Sequence, residues 1–484
     1  MITLIDLLNH NPSHIALESS NESLTYAQLQ TKVDSVAQWL VKNNVRSLAL
    51  LAQNSMAWVV TDLACQSLGI VITPLPLFFS QSQLHTILKD IDADLILSDT
   101  DIPYDFNLYC ESINLHGAKL TQSILCSAPS GTVKITFTSG TTGQPKGVCL
   151  SASNQLTVAH SLVESIGLEQ LRHLCLLPLP TLLENIAGVY APLLSNGTVI
   201  LASDTERGFE GSKLVNPAQL LSCISKHCPN SLILVSELLH VLIAAAKNGW
   251  VPPTSLRFIA VGGSRVSPKS IIEARALGLP VCQGYGLSEC GSVVSLCSLE
   301  DDVTSTGKLL PHIQASIIDN ELVVQSNCFL GYLNTPDSWN PSAIQTGDIA
   351  TIKNNSLYLT GRIKNTIINS YGRNISPEWV ESELMATGLF AQTVVLGDAR
   401  PFCTALLVPV NERVNAAQIE KRLTDINQAL PDYAQIFNPI VLAAPMRFED
   451  GLYTQNMRPR RAAILDYFSD QIEQVYSLST ALEA

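Results

Sequence analysis

Lys134-Ile-Thr-Phe-Thr-Ser-Gly-Thr-Thr-Gly-Gln-Pro-Lys-Gly-Val148 begins as a β-rich run and breaks into six consecutive hydroxyl or glycine residues, Thr138, Ser139, Gly140, Thr141, Thr142 and Gly143. Glycines let the backbone approach a ligand closely, and hydroxyls and free N–H groups bind phosphate oxygens. Lys146 adds a positive charge just beyond the loop. The stretch is not the G-x-x-x-x-G-K-[ST] loop, because Lys146 precedes a glycine and no Ser or Thr follows it directly. A generic nucleotide hydrolase of that class therefore fits poorly, since the hydroxyl that anchors its metal is missing. The bland alternative is a flexible surface turn; six such residues bounded by Phe137 and Pro145 weigh against it.

Outward from this loop the chain alternates short β-rich runs with amphipathic stretches. Strands are expected at Ser47–Ala52, Ile70–Leu75 and Ala93–Ser98, and near 133–138, 174–177, 198–202, 231–235, 257–261 and 280–283. Helical spacing covers Met56–Leu68, Gln81–Ile91, Pro217–Lys226 and Pro268–Leu277. Such alternation predicts an α/β fold of parallel sheets covered by helices. After about Ser288 the runs become short and turn-linked (Ser292–Cys297, Ile313–Ile318, Glu321–Gln325, Ile349–Lys353, Ser356–Leu359), which suits a small antiparallel sheet or barrel. The last stretch mixes helices (Pro377–Met385, Ala416–Leu430, Arg461–Val475) with strands (Thr393–Leu396, Ala405–Val410). No repeat, low-complexity segment or long linker interrupts it, so any domain joint is a short hinge.

The 484 residues suggest two to four domains. Hydrophobic residues make up 46% and charged residues 15%, a globular balance. With 29 Lys plus Arg against 42 Asp plus Glu, the net charge of −13 argues against non-specific nucleic-acid binding and against an anionic membrane surface. Mean hydropathy is positive, at +0.22. Yet the most apolar windows are interrupted by Asn54, Asp62, Gln66, Pro74, Glu237 and His240, so no membrane span is expected. The first ten residues lack the basic start of a secretory signal, and the expected location is the cytoplasm. The 12 cysteines are scattered without a C-x-x-C pair, which predicts a reducing compartment and no zinc site.

Further boxes stand in order along the chain: Ser23-Leu-Thr-Tyr-Ala-Gln-Leu29, Gly284-Tyr-Gly-Leu-Ser-Glu289, Thr346-Gly-Asp348, Leu359-Thr-Gly-Arg362 and Gly372-Arg-Asn-Ile-Ser-Pro-Glu378. Together with the 134–148 loop they resemble the signatures of the adenylate-forming superfamily, which includes acyl-CoA synthetases, adenylation domains and luciferases. The resemblance runs along essentially the whole chain. It implies a large N-terminal domain, residues 1–361, of parallel α/β sheets plus a small β subdomain. A small mobile α+β C-terminal domain, residues 362–484, would follow. It also implies ATP-dependent activation of a carboxylic acid to acyl-AMP, with Mg²⁺, and then transfer of the acyl group to a thiol.

By that resemblance the 138–143 loop cradles the β- and γ-phosphates and Lys146 contributes charge. Gly284, Tyr285, Gly286 and Ser288 belong to the adenine side, with the Tyr285 ring offering a flat face. Gly262, Gly263 and Ser264 follow a strand at its carboxyl end, where ligands of α/β sheets bind. Glu289, with Thr142, is expected to hold the metal, a hard oxygen ligand suiting Mg²⁺; taken alone, Glu289 reads as a solvated loop carboxylate. Asp348 is implied to accept the ribose hydroxyls, against the plainer role of a turn former. Arg362 is implied to hold the nucleotide, and Tyr358 is either a ribose contact or an ordinary strand tyrosine. Lys364 stands where the family pivots, or is merely a surface lysine. In Gly451–Arg461, Arg458 falls where relatives place a catalytic lysine, and Met457 where they place a glycine. Arg458 is otherwise one of three surface arginines at a helix start.

Leu177-Pro-Leu-Pro-Thr-Leu-Leu-Glu-Asn-Ile-Ala-Gly188 resembles the acid-side region of the family, with Thr181 where an aromatic or His is usual. The neighbouring Ile186, Ala187, Val189 and Tyr190 suggest a hydrophobic acid, a fatty acid before an aryl acid, although the same residues suit the core of a buried helix. CoA and the phosphopantetheine of an acyl carrier protein both remain open as acceptors. The rival reading is a catalytically degenerate nucleotide-binding relative with an interaction or regulatory role, motivated by the departures at Thr181 and Arg458.

Overall fold

The computed structural model describes residues 7–8, 10–91, 93–100, 106–120, 127–139, 145–211, 213–454 and 457–480. Two sheets organise the first three-quarters of the chain. In the eight-stranded sheet, Ser47–Leu51 pairs in parallel with Val71–Pro74 on one side and Leu95–Ser98 on the other. Val71–Pro74 in turn lies parallel to Lys134–Ser139, which pairs antiparallel with Pro145–Leu150. These strands are almost continuously apolar (Leu48, Leu50, Ile72, Leu95 and Leu97 are all buried), as expected when helices cover both faces. Met56–Leu68 forms a helix at the limits its periodicity predicts, capped by the Ser55 side chain and ended by left-handed Gly69. Gln81–Asp90 starts on a Ser80/Gln83 capping box.

The second, thirteen-stranded sheet has a parallel centre: Thr198–Ile200, Arg172–Leu174, Ser231–Leu234, Phe258–Val261 and Val281–Tyr285. The strand expected near 174–177 therefore sits earlier; the chain leaves the ladder before Pro178 and Pro180, which lack the N–H a ladder needs. Beyond Tyr285 the ladder turns antiparallel, with Tyr285 opposite Ser295. The small antiparallel set expected after Ser288 thus continues the edge of the parallel sheet instead of closing a barrel. Its last hairpin, Ile344–Lys353 with Ser356–Arg362, sets Asp348 opposite Arg362.

The C-terminal part has its own sheet, in which Thr404–Pro409 pairs antiparallel with Phe390–Leu396 and parallel with Ile440–Val441. Helix Pro377–Met385 lies within the expected limits, and Asn415 and Gln418 form the capping box of Ala416–Ala429. The helix expected over 461–475 is two helices, Arg461–Tyr467 and Ser469–Thr480. Phe468, at the break, lies in one buried cluster with Ile464, Ile472 and Tyr476, the i, i+4 spacing carrying the same face across both helices.

One charged pair lies at the heart of the large unit. Lys134 Nζ is 2.8 Å from Asp62 Oδ1, and both side chains are 1% exposed, which is tolerable only because the two charges are paired and hydrogen-bonded to neighbouring side chains. Tyr190 Oη donates to Asp62 Oδ2 at 2.7 Å, Asn185 Nδ2 donates to the same oxygen at 3.1 Å, and Lys134 donates to Asn185 Oδ1 and to Tyr190 Oη. Among the described residues no helix is long and apolar enough to cross a membrane.

Candidate active site

The carboxyl ends of Ser231–Leu234, Phe258–Val261 and Val281–Tyr285 meet the 344–362 hairpin and the loop carrying Arg458. The centre is Asp348, 5% exposed. Its Oδ2 accepts the Tyr285 hydroxyl at 2.6 Å and its Oδ1 accepts Arg362 Nε at 2.7 Å. A carboxylate has about four lone-pair sites, so two bonds leave room for further hydroxyl donors. Burial and the Asp348 charge push the Tyr285 phenol well up, so it stays a protonated donor. Burial would lower the Arg362 pKa, but the Asp348 carboxylate outweighs it and raises it.

The backbone beside this cluster is shaped by glycines. Gly263 has φ +85°, the left-handed region that favours glycine, and its carbonyl accepts Arg458 Nη2 at 2.7 Å. A Cβ on Gly286 would lie 1.6 Å from the Ser292 carbonyl oxygen, so no other residue fits there without moving the backbone. Gly262 is buried, and its N–H donates to Leu234 O. The hydroxyls of Ser264 and Ser236 are 2.8 Å apart. Gly284 lies in the strand that ends at Tyr285, and Ser288 opens the 3₁₀ turn Ser288–Cys290.

That turn carries Glu289. Tyr332 Oη donates to Glu289 Oε1 at 2.8 Å, while Lys146 Nζ sits 5.0 Å from the centre of the Tyr332 ring. One tyrosine thus links the expected metal ligand to the expected phosphate-binding lysine. Tyr332 belongs to Gly331–Tyr332, which pairs with Val148 and Cys149. Sequence reasoning missed it, because a lone tyrosine in a short strand carries no spacing signal. Thr138 and Ser139 end the strand Lys134–Ser139. Gly140, Thr141, Thr142 and Gly143 lie outside the described residues.

Arg458 comes from the C-terminal part, in a turn where its N–H donates to Thr454 Oγ1 and its carbonyl accepts Thr454 N–H. Desolvation by the surrounding protein and the nearby Arg362 charge lower its pKa, with Asp348 opposing, while part of the side chain stays open to solvent. Arg458 and Arg362 thus stand together beside Asp348, two guanidinium groups placed to meet an anion. Met457 adopts φ +54°, the conformation a glycine takes without strain. Arg461, three residues further on, is engaged elsewhere: its Nη2 donates to both oxygens of Glu381 at 2.7 Å.

Tyr358 stands apart from the cluster. Its hydroxyl faces Asp302 Oδ2 at 3.4 Å and Lys353 lies over its ring. Lys364 is exposed in the 3₁₀ turn Ile363–Asn365 between hairpin and C-terminal part. On the acid side, Leu182, Ile186, Val189 and Tyr190 are buried in the main core, whereas Thr181, Leu183 and Ala187 are half-buried. Ile186–Tyr190 is a turn of π-helix, a feature frequent at functional sites.

The profile of the AMP-binding enzyme family matches residues 6–328, and that of the AMP-binding enzyme C-terminal domain matches residues 364–480. The chain is 22% identical to a long-chain-fatty-acid–CoA ligase, FadD15, of Mycobacterium bovis, over 94% of this chain and 92% of that protein. It is 28% identical to a 2-succinylbenzoate–CoA ligase of Staphylococcus epidermidis, over 77% of this chain and 79% of that protein. Among solved structures, it superposes with a TM-score of 0.74 on the o-succinylbenzoate coenzyme A synthetase MenE of Bacillus subtilis in complex with ATP and magnesium ion, at 25% identity, covering 92% of this chain and 96% of that one. With two-thirds of its length inside the first profile and its last quarter inside the second, the chain belongs to the AMP-binding enzymes of the adenylate-forming superfamily.

Proposed function

We propose that this protein is an ATP-dependent acid–thiol ligase. It activates a hydrophobic carboxylic acid to acyl-AMP with release of pyrophosphate, then passes the acyl group to the thiol of CoA or of a carrier-protein pantetheine. The single observation that carries the reading is Asp348, buried, holding Tyr285 and Arg362 in place while Arg458 reaches in from the C-terminal part to Gly263. That arrangement offers a fixed acceptor for ribose hydroxyls and a cationic wall for a developing negative charge. The relatives' named activities, on a long-chain fatty acid and on 2-succinylbenzoate, agree with it.

The donor set at Glu289 fits Mg²⁺: a hard carboxylate, partly exposed, with Tyr332 engaging one oxygen. Bound there, the ion would neutralise phosphate charge as it develops. Glu289 would hold it, with Thr142 as the second proposed ligand. Lys146 and the 138–143 loop would bind the terminal phosphates; Gly262 to Ser264 and Gly284 to Ser288 would shape the nucleotide pocket, with Tyr285 beside the adenine. Tyr358 is the least supported contact, given its partners Asp302 and Lys353.

For the acid we favour a fatty acid, because the half-buried positions on its proposed side, Leu183 and Ala187, are apolar and Thr181 is small. We place the domain boundary at 361/362 and the pivot at Lys364, and the protein in the cytoplasm. Lys364→Pro then restricts the joint and slows one half-reaction more than the other; equal slowing would argue for a rigid joint.

The deciding experiment supplies ATP, Mg²⁺ and a panel of fatty acids, aryl acids and 2-succinylbenzoate. Pyrophosphate is followed, and acyl-AMP and thioester are detected by mass. Acyl-AMP from a fatty acid supports the whole reading, and acyl-AMP only from an aryl acid corrects the substrate. Nucleotide binding without pyrophosphate from any acid would favour the degenerate relative, to which the departures at Thr181 and Arg458 point.

A further inference from the structure

A second constellation lies away from the cluster around Asp348. His173, Cys175 and Glu184 bring an imidazole nitrogen, a sulfur and a carboxylate oxygen within 4.8 Å of one another. His173 is 2% exposed and the other two 0%. His173 lies on the strand Arg172–Leu174 and Cys175 two residues further, the spacing that puts both on one face. Glu184 descends from the short helix Leu182–Asn185.

Three details go beyond proximity. His173 Nδ1 is 3.0 Å from Ser231 Oγ, which orients the ring so that Nε2 faces Glu184 Oε1 at 3.3 Å. A Cβ on Gly188 would lie 2.9 Å from His173 Nε2 and 3.1 Å from Glu184 Oε1, so glycine is what lets the three close together. Glu184 Oε2 is fully buried and has no hydrogen-bond partner. A buried carboxylate oxygen without a partner is costly, and a cation removes that cost.

We propose that His173, Cys175 and Glu184 form a structural zinc site that pins the acid-side segment to the parallel sheet. The mixed nitrogen, sulfur and oxygen set suits Zn²⁺ rather than Mg²⁺ or Ca²⁺. Charge balances: a thiolate and a carboxylate neutralise the dication beside a neutral imidazole. The Cys175 proton leaves to solvent as the sulfur–zinc bond forms. The Ser231 contact is the outer hydrogen bond that metal-bound histidines usually carry. Counting cysteines missed this set because only one ligand is a cysteine and Glu184 arrives from another element. A similar trio, Glu206, Cys223 and His227, is a poorer candidate, since Glu206 Oε1 already accepts Lys226 and Ser20 and lies 2.9 Å from His227 Nε2.

The test is metal analysis of the full chain purified without immobilised-metal resin. Wild type should carry about one equivalent of zinc, as a single site requires. Cys175→Ser and Glu184→Gln, which remove ligands outright, should lower the content at least ~10-fold, the lower end of what loss of an outer hydrogen bond alone costs in affinity, while Cys223→Ser should keep it. Cobalt-loaded wild type should show thiolate–cobalt charge-transfer absorption. Wild type that holds no zinc, takes none up, and shows no such absorption with Co²⁺ overturns the proposal. So does Cys175→Ser with wild-type zinc content. If the variants fail to fold, the wild-type measurements decide by themselves.

Discussion

Arg458→Ala is the sharpest perturbation of the proposed adenylation step. In the structure Arg458 Nη2 donates to Gly263 O at 2.7 Å, beside Arg362 and Asp348. An anion bound there gains a charge-assisted donor already held in place, so none of its reorganisation falls on the reaction. Removing one such donor costs about 2.7–4 kcal/mol, or roughly 100- to 1000-fold in rate. Arg458 reaches solvent, which weakens its field, so the lower end of about 100-fold is expected. The assay is single-turnover acyl-AMP formation, run beside thiol transfer from supplied acyl-AMP. The first should fall and the second should stay near wild type. Arg458→Lys should lie between, because an ammonium keeps the charge but loses the planar fork. Normal adenylation by Arg458→Ala would refute the assignment.

Asp348→Asn keeps the shape but loses the charge that holds Arg362. Hydrogen bonds to charged groups contribute about 1.5–3 kcal/mol, so the KM for ATP should rise ~10-fold or more while circular dichroism stays native; an unchanged KM would remove Asp348 from the nucleotide site. Met457→Gly should stabilise the chain. The left-handed conformation costs a non-glycine residue about 1–2 kcal/mol, offset by the roughly 0.5–1 kcal/mol that glycine loses in chain entropy, so denaturant titration should show a small gain, and a loss would contradict the φ of +54°. For pH, burial raises Glu206, but Lys226, Ser20 and His227 outweigh it and lower its pKa to about 2. A folded pKa below the unfolded one adds stability above about pH 4.5, lost as pH falls toward about 2. Denaturation of Glu206→Gln across that window should show a shallower acid slope, and an identical slope would refute the pairing.

Much of the architecture is legible without coordinates because it depends on neighbours in the chain. Met56–Leu68 and Pro377–Met385 fall within the expected limits because apolar spacing and flanking Ser, Gly or Pro act over one turn. Gly347, at φ +71°, bends the strand Ile344–Lys353 at 346–348, and the glycines at 262–263 and 284–286 stand where strands end, a local preference the residue types themselves announce. Errors came where no local residue marks the boundary. Nothing in 461–475 announces a break at Phe468, whose burial beside Ile464 and Ile472 is a matter of packing.

The sequence by itself determined which residue types stand in each box, and in what order, since a phosphate-binding loop or a hairpin is a property of a few consecutive residues. Only the tertiary structure decided who meets whom. Tyr285 finds Asp348 63 residues on, and Arg458 finds Gly263 195 residues away, because sheet register and the return of the C-terminal part bring them together. Tyr332 reaching Glu289 and Lys146, and Ser231 reaching His173, arise the same way. Periodicity shows which face of a strand or helix is buried. It is silent on the partner across the interface, because that depends on strand order and register, and one residue of slip turns every side chain to the opposite face.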